Sequence, residues 1–183
     1  TNAKNAAEDI RTLYDAQRLA SQVTFEDNLQ SVYEGIKASV NQKITENASL
    51  KKRSGAKKTE ADDIEQQAMD VIERLRNGET VRFEDTDSGR SLYDKIREIF
   101  GEYGIYDYTD NSPGAGAGFE ITANTEDTEK LSQALKGLQS DLNQTATAAR
   151  EEANQMDKTQ KTNDLYIKDQ WKTMSNYLGQ YLQ

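Results

Sequence analysis

Apolar residues recur at steps of three and four in the opening and closing stretches of the chain, and at steps of two only in a short middle segment. Ile10, Leu13, Gln17, Ala20 and Val23 share one helical face, and so do Leu29, Val32, Ile36, Val40 and Ile44. These spacings predict a first helix from about Ala6 to about Leu50. The apolar phase slips between Thr24 and Asp27, which reads either as a stutter within one helix or as a short break. From Lys51 to Lys58 a glycine, Gly55, sits among basic residues, and this predicts a loop. It is either a solvated turn or a contact for an acidic surface on a partner. Thr59-Glu60-Ala61-Asp62 has the form of a capping box. Ile64, Ala68, Val71, Ile72 and Leu75 then give a second helix, closed by Asn77-Gly78. Residues 1–77 are thus expected to form a helical hairpin across the basic loop.

Residues 78–124 read as a small mixed α/β insert. Thr80 to Glu84 and Phe119 to Thr122 alternate, and Ile105 to Tyr108 form a third short strand candidate. Ser91 is expected to cap a helix carrying Leu92, Ile96, Ile99 and Tyr103 on one face, ended by Gly101 and Gly104. Asp110 to Gly118 is a Gly-rich loop. The tyrosines Tyr103, Tyr106 and Tyr108 form either a small core with polar handles or an adhesive contact.

Residues 125–183 predict one long helix, capped by Asn124 to Asp127 and spanning roughly 80 Å. Leu131, Leu135, Leu138 and Leu142 step by four, three and four, the mark of a coiled-coil seam. Ile167, Trp171, Met174, Leu178 and Tyr181 make a second seam. Between them, Asn143 to Asp164 is nearly all polar, with Ala146, Ala148, Ala149, Ala153 and Met156 as the interruptions. A helix polar on every side has no core of its own, so this stretch is exposed, lines a wet cavity, or packs on small residues of another chain. The fold class that results is mainly α: long N- and C-terminal helices forming an antiparallel coiled coil around a small α/β insert. The expected assembly or coiled-coil interface is Leu29, Val32, Ile36, Val40, Leu131, Leu135, Leu138, Leu142, Ile167, Trp171, Met174 and Leu178.

Composition sharpens this picture. The chain has 183 residues, of which 34% are hydrophobic and 30% charged, with a net charge of −9. Its mean hydropathy is −0.94. Such a chain builds a thin core for its length, and its apolar stripes call for neighbouring chains or for disorder in part. The acidic balance argues against nucleic acid and anionic lipid as partners. The apolar runs are too short to insert in a membrane. The one proline, Pro113, lies in the Gly-rich loop and leaves the helices uninterrupted. The sequence opens at Thr1 rather than Met, which predicts a fragment or a processed form.

Catalytic and metal chemistry find few candidates. Cysteine and histidine are both absent, so there is no thiol, disulfide or imidazole to draw on. Gly114, Gly116 and Gly118 alternate, but no Lys-Ser or Lys-Thr follows as in a phosphate loop. Glu84, Asp85 and Asp87 lack the spacing of a calcium loop. Ser88 and Ser91 have no base to activate them. Glu151 and Glu152 point to different sides of their helix and read as solvated charge. No cofactor or metal is expected, and the chain reads as something other than an enzyme.

Long helices flanking a small mixed insert, the leucine run Leu131 to Leu142, Gln155-Met156, and Met174-Ser175-Asn176-Tyr177-Leu178 together resemble the EspA-like hydrophilic translocators, the needle-tip and filament proteins of type III secretion systems. The likeness covers the last third of the chain best, the second helix and middle loosely, and the first helix by pattern alone. It implies a secreted, extracellular structural subunit at the bacterial cell surface that self-assembles through its terminal helices. The resulting conduit carries exported proteins. The implied partners are further copies of the chain, the needle subunit, pore-forming translocators and a cytosolic chaperone. Absence of cysteine suits export of an unfolded chain, and a polar helix face suits the lining of a channel. Many filament members carry a strongly hydrophobic N-terminal segment that this sequence does not show; either it has been removed or the chain is of a needle-tip type with limited oligomers. The alternative is a cytosolic coiled-coil adaptor or chaperone-like binding module, which would gain order only with a different partner.

Overall fold

A computed structural model describes residues 2–112 and 117–182, with the side chains of residues 23, 25, 181 and 182 left aside. The elements run α1 (Asn2–Arg76), β1 (Val81–Phe83), α2 (Asp87–Glu102), β2 (Tyr108–Asn111), β3 (Phe119–Ala123) and α3 (Thr128–Leu182). The long terminal helices α1 and α3 pack against each other and the three strands form a small sheet between them in sequence. The chain divides into two compact units: Thr1–Lys52 with Met156–Gln183, and Arg53–Gln155.

The expected hairpin within residues 1–77 does not form, because α1 is one helix through Lys51 to Lys58. A glycine within a helix costs only about 1 kcal/mol, and the buried spacing outweighs it here. Ser54, Lys57, Ala61, Ile64, Ala68, Val71 and Leu75 continue the alternation of threes and fours, and Ser54 is buried with its hydroxyl donating to the Ala153 carbonyl at 3.3 Å. The slip near Thr24 to Asp27 is likewise a stutter inside an unbroken helix. Gly78, at φ 74°, ends α1, with its N–H on Leu75 O and that of Glu79 on Arg74 O.

The second unit holds the larger core. In the antiparallel sheet, ordered β1-β3-β2, Val81 pairs with Ile121 and Phe83 with Phe119, so that Val81, Phe83, Ile121 and Ala123 are buried while Arg82 and Glu120 form a salt bridge at 3.0 Å. The amphipathic α2 contributes Tyr93, Ile96, Ile99 and Phe100; α1 contributes Val71, Ile72 and Leu75; α3 contributes Leu131, Leu135, Leu138 and Leu142. Helix α2 starts at Thr86 rather than at Ser91: the Thr86 hydroxyl accepts from Gly89 N at 3.1 Å. An earlier start is possible because residue 89 is glycine, where an added Cβ would lie 2.1 Å from the Glu84 carbonyl oxygen. Gly101 lies inside α2, and Tyr103 caps it. Strand β2 lies further along than Ile105 to Tyr108, since Ile105 instead turns into the core at 2% exposure. The Gly-rich loop keeps Asp110 and Asn111 as strand, and its residues 113–116 fall outside the described residues.

The first unit is built differently. Its core is small: Ile36, Val40 and Met174 are buried, with Leu29, Val32, Tyr33 and Ile167 partly so. Asp127 caps α3, its carboxylate accepting from Lys130 N at 3.0 Å.

Candidate assembly surface

The expected interface residues separate into two intramolecular groups and an exposed remainder. Leu131, Leu135, Leu138 and Leu142 lie in the core of the second unit, covered by α1, α2 and the sheet of the same chain. Leu29, Val32, Ile36, Val40, Ile167 and Met174 come together in the first unit as the seam between α1 and α3. Trp171 and Leu178 are 43% and 37% exposed, one position outside the buried Met174 and the half-buried Ile167, Gln170 and Tyr177. Tyr181 belongs to the side chains left aside.

The alanine face of the polar middle of α3 packs on the chain's own α1. Ala61, Ala146 and Ala149 form one buried cluster with Ile64 at its edge. Ala153 is fully buried and accepts the Ser54 bond. Small side chains let two helices approach closely, so a seam with little apolar volume still excludes water. Its flanks are ionic. Arg150 donates to Asp62 Oδ1 and to Glu65 Oε2 at 2.8 and 2.9 Å, with a further bond to Glu65 Oε1, and Lys57 bridges Glu60 and Glu152 at 3.2 Å each. The Arg150 hydrogen bonds hold the Glu65 carboxyl below its ordinary value of 4.5, against a smaller opposing effect of desolvation. A depressed carboxylate stabilises the fold fully above its ordinary value and stops doing so as pH falls through the lower folded value. The wild-type denaturation midpoint is therefore expected to drop more steeply below pH 4.5 than that of Arg150→Met. Parallel pH profiles for the two proteins would contradict the pairing.

In the first unit the seam carries a polar layer. Asn163, 4% exposed, donates to Asn47 Oδ1 at 2.9 Å, and Asn47 donates to Asp164 Oδ1 at 2.9 Å. A buried amide pair of this kind sets the register of two helices, because a slip leaves both amides unpaired. Tyr166 meets Ser39 through its hydroxyl, with the Lys43 ammonium 5.7 Å from its ring centroid.

The tyrosine cluster splits. Tyr103 and Tyr108 pack against the core, whereas Tyr106 is 79% exposed. Tyr93, outside that cluster, organises the sheet edge. It stacks on Phe119 at 4.6 Å, hydrogen bonds Asp110, and lies under Arg97, which pairs with Asp110 at 3.1 Å. Burial and that acidic partner push the Tyr93 hydroxyl above its usual value, so it donates to Asp110. Asp85 of the calcium-loop candidate instead pairs with Arg90 at 2.7 Å. Among the described residues, no group of three or more acidic side chains is placed to hold a metal ion, and no helix is long and apolar enough to cross a membrane.

What remains uncovered is the start of α1. Every described side chain from residue 2 to residue 28 is exposed, including Ile10, Leu13, Tyr14 and Leu19. Tracing the α1 seam upstream from Leu29 by threes and fours leads to Glu26, Gln22, Leu19 and Asp15, of which Leu19 alone is apolar, whereas Ile10, Leu13, Gln17 and Ala20 lie on another face. Upstream of the slip most of the apolar stripe is therefore on a different face from the α1 seam. No protein-family model, no curated protein and no solved structure matches the chain.

Proposed function

We propose that this chain is a structural subunit of a secretion needle tip or extracellular filament, which self-assembles through its terminal helices to form a conduit for exported proteins. The uncovered first stretch of α1 carries the reading: an amphipathic helix whose apolar stripe, with Ile10 at 69% and Leu13 at 60% exposure, has no cover among the described residues. Helices in proteins owe most of their stability to packing of the apolar face, so this stretch is best satisfied where another chain covers it. Two further features support the same reading. The antiparallel helix pair with a small α/β insert resembles the hydrophilic translocators in plan, and the outward faces of α3 around its alanine seam are polar, as a channel for unfolded chains requires. In this reading the protein acts outside the bacterial cell with the needle subunit and pore-forming translocators, and a cytosolic chaperone holds it before export.

Light scattering over a concentration series tests the proposal, together with the melting temperature at each concentration. Particle size and Tm are both expected to rise with concentration. A constant monomeric size with an invariant Tm would overturn it. A stable monomer that gains order only with one different protein would point to the adaptor alternative.

A further inference from the structure

The first unit carries two features that its own fold leaves unused. One is the exposed stripe Ile10, Leu13, Gln17, Ala20, Thr24 and Asp27, which steps by three and four along the start of α1. The other lies further along the same helix, on the side away from the α3 seam: Gly35, Ala38, Gln42, Thr45, Ser49 and Lys52, all exposed and stepping by the same alternation. The first stripe begins with large side chains where the second begins with small ones. A Cβ built on Gly35 would meet nothing within 4 Å, and Ala38 is exposed beside it, so this small-residue surface is open to a neighbouring helix.

The charges match in the same order. Lys51 and Lys52 are exposed and pair with no carboxylate among the described residues, in a protein of net charge −9. Glu26 and Asp27, at the end of the first stripe, are exposed carboxylates that pair with no cation among the described residues. When one helix lies parallel to the other with an offset of about 25 residues, or about 37 Å along the axis, Ile10 sits over Gly35 and Leu13 over Ala38. The same offset sets Glu26 and Asp27 beside Lys51 and Lys52.

We propose that the start of α1 in one copy of this chain docks, in parallel and staggered, on the outer face of α1 residues 35–52 in a second copy. Ridge meets groove at one end of the contact, and carboxylates meet ammonium groups at the other. The two contacting surfaces differ, so the contact is head-to-tail: each copy offers one surface and receives on the other, and the series grows without closing on itself. The inference rests on the self-assembly reading above and names the surfaces that reading would use.

Charge reversal tests it. One variant is Lys51→Glu with Lys52→Glu, the other Glu26→Lys with Asp27→Lys; all four positions are exposed, and circular dichroism checks that helicity is kept. Each variant alone sets like charges against each other and is expected to associate at least about tenfold more weakly than wild type in sedimentation velocity. Mixed in equal amounts they present opposite charges at every contact and are expected to regain wild-type association. Gly35→Leu gives an independent readout: it adds a side chain where a Cβ meets nothing within 4 Å, and is expected to abolish association while leaving the monomer folded. Variants that all associate like wild type, while wild type assembles, would overturn this contact and leave self-assembly standing. Charge variants that weaken association but are not rescued on mixing would also overturn it. A wild-type chain that stays monomeric at every concentration would overturn both.

Discussion

Replacing Leu138 by Asp is expected to unfold residues 53–155. Leu138 is fully buried in the cluster where Leu75, Ile96, Phe100 and Ile121 also meet α3. Truncating such a leucine to alanine alone costs about 2–5 kcal/mol. An aspartate adds the cost of an unpaired carboxylate, several kcal/mol more, since the surrounding side chains are apolar and a domain's whole stability is only about 5–15 kcal/mol. Far-ultraviolet circular dichroism should show a large loss of helix, and tyrosine fluorescence the loss of the packed sheet. The four leucines are covered within one molecule, so the defect belongs to folding and should appear at every protein concentration. A variant with native helicity and an unchanged denaturation midpoint would contradict the placement of Leu138 in the core.

The next largest effect is expected at an alanine. Ala153 is fully buried beside Ser54 and accepts its hydroxyl hydrogen bond. Ala153→Leu inserts a branched side chain where α1 and α3 pack through small residues. Overpacking of this kind typically costs about 1–3 kcal/mol, occasionally more, which lowers Tm by several degrees in a chain of this size. Ala148→Leu, on the exposed side of the same helix, is the control and should leave Tm unchanged. Equal behaviour of the two variants would mean that the alanine face carries no contact.

That alanine seam also marks where reading from the sequence alone reaches its limit. The leucine run from Leu131 to Leu142 is legible because large aliphatic side chains at steps of four and three have one economical use. Val81, Phe83, Phe119 and Ile121 are legible as strand residues because alternation has one explanation too. Ala146, Ala149 and Ala153 give a weak signal, since alanine is common on any helix surface and its burial depends on what faces it. The facing residues, Ser54 and Ala61, lie far away in sequence and are equally small. The same weakness hid the continuity of α1: Ser54 and Lys57 look like loop residues beside Gly55, but they occupy seam positions, one bonded to α3 and the other paired with Glu152. Trp171 and Leu178 show another limit: large apolar residues at a regular spacing stand one position outside the face that α1 covers. As for the assembly surface, the exposed stripe at the start of α1 is visible in the sequence. Its separation from the α3 seam is not, because that depends on the stutter remaining helical.

The central claim is that copies of this chain complete one another's helical surfaces. It is tested most directly by negative-stain electron microscopy of the purified protein across a range of concentrations. Elongated or tubular polymers, or rings of the same subunit, are expected at high concentration and should disperse on dilution. A field of uniform single molecules at the highest attainable concentration would contradict it.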